Sequence, residues 1–185
     1  MNPDGLSGAA LLSLLQGLRR ERTRHPLTAT VEHTGAEGEA QEYRLELWLD
    51  GHTARCTSLG DGFWVQYAPL TRTLRRGDAR GLQEEQPDVD FPVNFTPLAL
   101  GVPLSLPIWG DAPGTARPTG VVGQPGSLVR VDFASPEDGG EEIPAGHALI
   151  DTRLMCATEL AWFGDHYRLR DPHRLTMPDW ASLLD

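Results

Sequence analysis

From residue 27 to residue 76, apolar side chains return at every second position, and short glycine-containing turns cut them before any run grows long. Such alternation belongs to extended backbone with one face buried, because successive side chains of a strand point to opposite sides. Leu27, Ala29 and Val31 make one row, Tyr43, Leu45, Leu47 and Leu49 a second, and Phe63, Val65 and Tyr67 a third. Asp50-Gly51 and Gly60-Asp61-Gly62 stand where hairpin turns are needed. With a return strand at Thr53–Ser58 and a last one at Thr71–Arg76, this stretch reads as an antiparallel meander of about five strands.

Ahead of it, residues 8–20 carry leucines at 11, 14, 15 and 18, the spacing of an amphipathic helix, with Ser7 as its expected N-cap. A single helix among strands is expected to lie on the sheet. Arg19, Arg20, Arg22 and Arg24 follow at its end and complement the helix dipole. A second strand group is expected over residues 127–170, from Ser127–Phe133 through Ala148–Asp151 and Leu154–Phe163 to His166–Arg170, with a turn at Gly164-Asp165. A short helix or turn carrying Trp180 is expected after Thr176.

Residues 78–120 differ. Seven prolines, from Pro87 to Pro118, exclude a long helix and a central strand. Phe91, Phe95, Leu98, Leu104, Leu106, Ile108 and Trp109 are nevertheless too apolar for a solvated linker. The segment reads as an irregular, proline-rich cover over one side of the sheet. No repeat or internal boundary interrupts the chain, so residues 1–185 are expected to form one domain of mainly β, α+β character.

Charge and residue usage narrow the function. A net charge of −10 disfavours nucleic acid, whose phosphates need a basic surface. All 16 basic residues are arginine, which removes a catalytic lysine, a Schiff base and a P-loop. The apolar stretch from Gly8 to Leu18 is too short to span a bilayer and lacks signal-peptide flanks. The chain as given is therefore expected in the cytoplasm, or in the periplasm or envelope if it is a mature form whose leader was removed. Cys56 and Cys156 form no metal-type cluster and are expected to stay unpaired in a reducing compartment.

Catalytic motifs are missing: there is no GxSxG elbow, no GxGxxG loop and no HExxH pair. A metal site built from His147, Asp151, His166 and His173 would require strands to bring them together, since His147 and Asp151 stand about 13 Å apart along one strand. The expectation is therefore a protein that is not an enzyme and needs no cofactor. Aromatic residues say more. Trp48 and Trp64 fall opposite the apolar rows of their strands, and Trp162 adjoins Phe163, so both faces of the sheet are expected to be apolar. Such faces either pack against the helix and the proline-rich cover or enclose a cavity.

Together, Trp48-Leu49-Asp50-Gly51, Asp61-Gly62-Phe63-Trp64-Val65-Gln66-Tyr67-Ala68-Pro69 and the late His147-Ala148-Leu149-Ile150-Asp151 strand resemble the bacterial lipoprotein-carrier superfamily of LolA, LolB and RseB. The resemblance covers about residues 8–175. It implies a curved antiparallel half-barrel with a plug, here near residues 88–110, around a cavity for acyl chains. Trp48, Trp64, Phe95, Trp109 and Trp162 would line it, and the partner would be a lipid or another hydrophobic molecule. The alternatives are a protein-interaction module of the same fold with a packed interior and, behind it, a metal-dependent hydrolase.

Overall fold

The computed structural model describes residues 3–21, 26–47, 53–68, 73–78, 80–85, 95–110, 116–136 and 142–174. Helix α1 (Pro3–Glu21) precedes strands β1 (Leu27–Thr34), β2 (Ala40–Leu47), β3 (Ala54–Ser58), β4 (Trp64–Ala68), β5 (Thr73–Asp78) and β6 (Gly81–Glu85). A short helix α2 (Thr96–Ala99) and a 3-10 turn (Pro103–Ser105) follow. The chain then forms β7 (Arg117–Gly123), β8 (Leu128–Pro136), β9 (Glu142–Asp151), β10 (Cys156–Trp162) and β11 (Asp165–Arg174).

The eleven strands of the described residues join one antiparallel sheet in the order β6-β5-β4-β3-β2-β1-β11-β10-β9-β8-β7. The chain runs outward from β1 to one edge, crosses through α2 to the opposite edge, and returns until β11 pairs with β1. The sheet stays open, and with α1 it forms the half-barrel expected of the resemblance.

Its inner face is continuous. Leu27, Ala29, Val31, Leu45, Cys56, Val65, Tyr67 and Leu74 on one arm, and Val131, Phe133, Ala148, Ile150, Leu160 and Leu169 on the other, are all buried. Against this face lie Leu14 and Leu18 of α1 and the 95–110 segment, whose Leu98, Leu100, Leu106 and Ile108 are 0% exposed. Burying each such side chain contributes about 1.5–3 kcal/mol, which together with the segment's own turn hydrogen bonds orders this proline-rich stretch. Hydrogen bonds tie it directly to the sheet, Thr96 to the Tyr167 side chain of β11 and Leu100 to β10. A bulge between Ala157 and Glu159 frees the Ala157 amide, which donates to the Leu100 carbonyl at 2.7 Å.

Several expectations need correction. The helix begins at Pro3, ahead of Ser7 and of the expected start at residue 8. The ends of the 78–120 segment are strands, β6 and β7, and these are the two edges of the sheet. That position suits Pro118, because an edge strand has one side on which a missing N–H costs no ladder bond. Leu154 and Met155 belong to a turn, so β10 starts at Cys156. Trp48, the Asp50-Gly51 turn and the Thr176–Trp180 segment lie outside the described residues.

The largest correction concerns the second apolar face. The outer side of the sheet carries Glu32, Arg44, Glu46, Arg55, Gln66, His147, Glu159, His166, Arg168 and Arg170 in positions that alternate with the buried rows. Trp64 does lie there, but the Arg55 guanidinium sits 4.6 Å over its ring. Gly77 lies beneath, where an added Cβ would come within 2.7 Å of the indole. Trp162 turns inward, its ring 5.4 Å from that of buried Phe133 above Gly146, which separates them in the row. Phe163 sits in the β10–β11 turn rather than in a strand. The sheet is apolar on one side and polar on the other.

Candidate binding clefts

Among the clefts formed by the described residues, two lie at opposite sides of the packed interior. The first is a groove of about 390 Å³ between α1 and the β7–β8 end of the sheet. Ala10, Leu14 and Gly17 supply the apolar part of the helix wall beside Ser13, and Val121, Val129 and Met155 that of the opposite wall beside Thr152. The helix residues recur at i, i+4 and i+7, one face of an α-helix. Gly17 opens the floor, since a Cβ added there would meet only the Met155 methyl, at 4.0 Å.

The second cleft, about 640 Å³, lies at the β2–β3 end. Tyr43, Phe63 and Phe95 wall it, with Glu42, Ser58 and Asp61 at its margin. The Phe95 ring stands at 88° to Tyr43 with centroids 5.6 Å apart, and at 74° to Phe63 with centroids 6.1 Å apart. Tyr43 donates its hydroxyl to the Gln41 side-chain oxygen. Burial first, then the neighbouring Cys56 and Asp61, pushes its phenol upward, so it stays neutral. Asp61 is held below the usual carboxylate range by a hydrogen bond from Ser58 and another from the Phe63 amide.

Of the five aromatic residues expected to share a cavity, the four described ones are dispersed. Phe95 lines the second cleft. Trp109 is half-buried against the core, and its Nε1–H donates to the Pro103 carbonyl at 2.7 Å, which closes the 103–109 turn. Trp64 and Trp162 are placed as above, and Trp48 lies outside the described residues. Sequence reasoning passes over Ala10, Gly17, Val121, Val129 and Met155 because nothing in a small or β-branched residue marks a groove rather than a core. The i, i+4, i+7 stripe ending in a glycine is the available signal.

The polar candidates separate in the same way. His147 and His166 do meet, on the outer face, where their Nε2 atoms lie 3.1 and 3.3 Å from Oε1 of Glu159. Asp151 is elsewhere, buried, and accepts hydrogen bonds from Ser127 Oγ and from the Arg153 and Leu154 amides. His173 is exposed, with Nδ1 3.0 Å from the Asp171 carbonyl. Among the described residues no group of three or more His, Cys, Asp or Glu side chains is arranged to hold a metal ion. No described helix is long and apolar enough to cross a membrane. Cys56 and Cys156 are both buried, free thiols.

No family model matches the sequence, nor does any curated protein. Solved structures do match. An uncharacterized conserved protein from Thermus thermophilus superposes with a TM-score of 0.56 at 14% identity, over 95% of this chain and 93% of that one. MucB aligns with a TM-score of 0.48 at 12% identity, over 93% of this chain and 61% of that one. A LolA superfamily protein from Nitrosomonas europaea aligns with a TM-score of 0.43 at 9% identity, over 91% and 94%. At 14% identity the likeness to the Thermus thermophilus protein is one of fold.

Proposed function

We propose that this chain is a non-enzymatic binding protein that takes one apolar chain, an acyl chain above all, into the groove between α1 and the β7–β8 end of the sheet. The observation that carries this reading is the wall of Ala10, Leu14, Gly17, Val121, Val129 and Met155 around about 390 Å³ of space. That volume lies at the low end for ligand pockets, fit for a single chain rather than a whole lipid. Burial of apolar ligand surface there would supply the affinity, at about 25 cal/mol per Å² before ordering costs. The non-catalytic part of the reading is supported by the thiols. Burial pushes Cys56 upward and Cys156 up to about 12, so neither presents a thiolate at neutral pH.

A second reading, a protein-interaction module of the same fold, draws on a different observation. The inner face is closed by Leu98, Leu100, Leu106 and Ile108, where a larger ligand would otherwise lie. Fluorescence titration with a dansylated fatty acid separates the two. The acyl reading expects saturable binding that Gly17→Leu weakens at least about tenfold by filling the groove, while the melting temperature does not fall, because leucine exceeds glycine in helix propensity by roughly 0.5–1 kcal/mol. A parent protein that fails to saturate, or a Gly17→Leu variant that binds equally well, removes the groove as the site and leaves the interaction module.

A further inference from the structure

We propose that the cleft walled by Tyr43, Phe63 and Phe95 is a site for an alkylated organic cation, a quaternary ammonium group above all. Three observations converge on that ligand. The three rings stand together in the wall of the space and meet one another at steep angles, Phe95 at 88° to Tyr43 and 74° to Phe63. Aromatic faces carry the negative end of the ring quadrupole, and a cation within about 6 Å of several such faces is attracted by each. Next, the margin is acidic: the Asp61 carboxylate, held ionised by Ser58 and the Phe63 amide, and Glu42 stand at the cleft, and no arginine or histidine is among its described lining residues. Finally, Tyr43 Oη is engaged with Gln41, so the ring and not the hydroxyl serves the space.

Other ligand classes fit less well. An anion would meet Glu42 and Asp61 without a compensating cation. A neutral apolar group would have to displace water from that acidic margin and gain nothing from it. A compact ammonium keeps its hydration shell strongly, whereas a trimethylated nitrogen presents methyl groups to the rings and its charge to the carboxylates. The site is independent of the α1 groove and stands or falls separately.

Isothermal titration with choline, set against its uncharged isostere 3,3-dimethylbutan-1-ol, tests the proposal. Choline is expected to saturate the protein and to bind about tenfold more tightly than the isostere, the margin of a cation–π site of this kind. Phe95→Leu and Asp61→Asn are each expected to weaken choline by about tenfold. Asp61→Asn keeps an oxygen for the Phe63 amide in an exposed turn and so serves if the Phe95 variant does not fold. Gly17→Leu is expected to leave choline binding unchanged. Co-sedimentation with phosphatidylcholine but not phosphatidylglycerol vesicles assigns the cation to a lipid headgroup, and saturation by free choline without vesicle binding assigns it to a small molecule. Equal affinity for the isostere, variants that bind like the parent, or no binding to either free choline or phosphatidylcholine vesicles overturns the proposal.

Discussion

Glu159 is the residue at which His147, His166 and Arg168 of the outer face converge. Its Oε1 lies 3.1 Å from His147 and 3.3 Å from His166, and its Oε2 lies 3.6 Å from Arg168, so one carboxylate on β10 clips β9 and β11. Burial works to raise its pKa, but hydrogen bonds from His166 and His147, together with their charges, overcome this and hold it below its ordinary 4.5. A carboxylate with a depressed folded-state pKa stabilises the protein above its unfolded-state value and loses that contribution as pH falls through the folded one. The parent protein is therefore expected to lose stability below about pH 4.5, on the unfolded-state value. Glu159→Gln should cost roughly 1 kcal/mol at pH 7, discounted for partial exposure, and should flatten the acid limb. Urea midpoints of both proteins from pH 3 to 7 check this, and parallel curves would refute it. Trp64 shows a different residue-scale lesson. Its parity in β4 is legible, because Val65 and Tyr67, one and three positions on, are buried. That its outer face is polar is not, because a guanidinium packed flat on an indole leaves no trace in sequence spacing. The Arg55 Nε is buried there without a hydrogen-bond partner, and the ring contact is what compensates it.

At the scale of elements, what can be read from the sequence follows burial. β1, β2, β4 and β8 bury one face, and a half-buried strand writes period-two alternation into its residues. The edge strands bury little among their described side chains and write nothing comparable. In β6 the large apolar side chain is Leu82, 62% exposed, and β7 reads Arg-Pro-Thr-Gly-Val-Val-Gly. Both merge into the cover segment when the sequence is read alone, although proline and glycine are tolerated at an edge. The groove escapes notice for a related reason, since Gly17 and Ala10 carry too little side chain to declare a face. The β10–β11 turn breaks a local rule. Phe163 and Gly164 have φ of 46° and 95°, as the central positions of a type I′ hairpin require, yet the first is a half-exposed phenylalanine. Left-handed backbone costs a bulky L residue about 1–2 kcal/mol, and asparagine tolerates it. Phe163→Asn is therefore expected to raise stability by about 1 kcal/mol in chemical denaturation, despite losing the edge contact with Trp162 at 6.0 Å. A lower midpoint would show that the Phe163 ring holds the hairpin more strongly than its backbone resists it.

On the scale of the whole molecule, the sheet is two arms, β1–β6 and β7–β11, joined along the β1–β11 ladder. Each arm is locally connected, and a sheet built this way would unravel from either edge if the ladder were its only bond. Other contacts cross it. Helix α1 precedes the first arm but packs over β7, an edge of the second, with Leu18 buried to 1%. The 95–110 segment bridges as well: a Cβ on Gly101 would stand 3.0 Å from Leu45 and Leu47 of the first arm, while Leu100 accepts the Ala157 amide of the second. Separating the arms would thus expose Leu98, Leu100, Leu106 and Ile108 at about 1.5–3 kcal/mol each, more than either arm recovers by staying folded alone. The expectation is a single cooperative transition. Trp64 in β4 and Trp162 in β10 report the two arms, and variants retaining one tryptophan each, the others replaced by phenylalanine, can be unfolded in urea in parallel. If α1 and the 95–110 segment bind the arms into one unit, each probe shows the same shift in midpoint when Ile108→Ala is added to both backgrounds, although Ile108 belongs to neither arm. A shift confined to one probe would mean that the proline-rich segment stabilises a single arm and that the β1–β11 ladder is a seam.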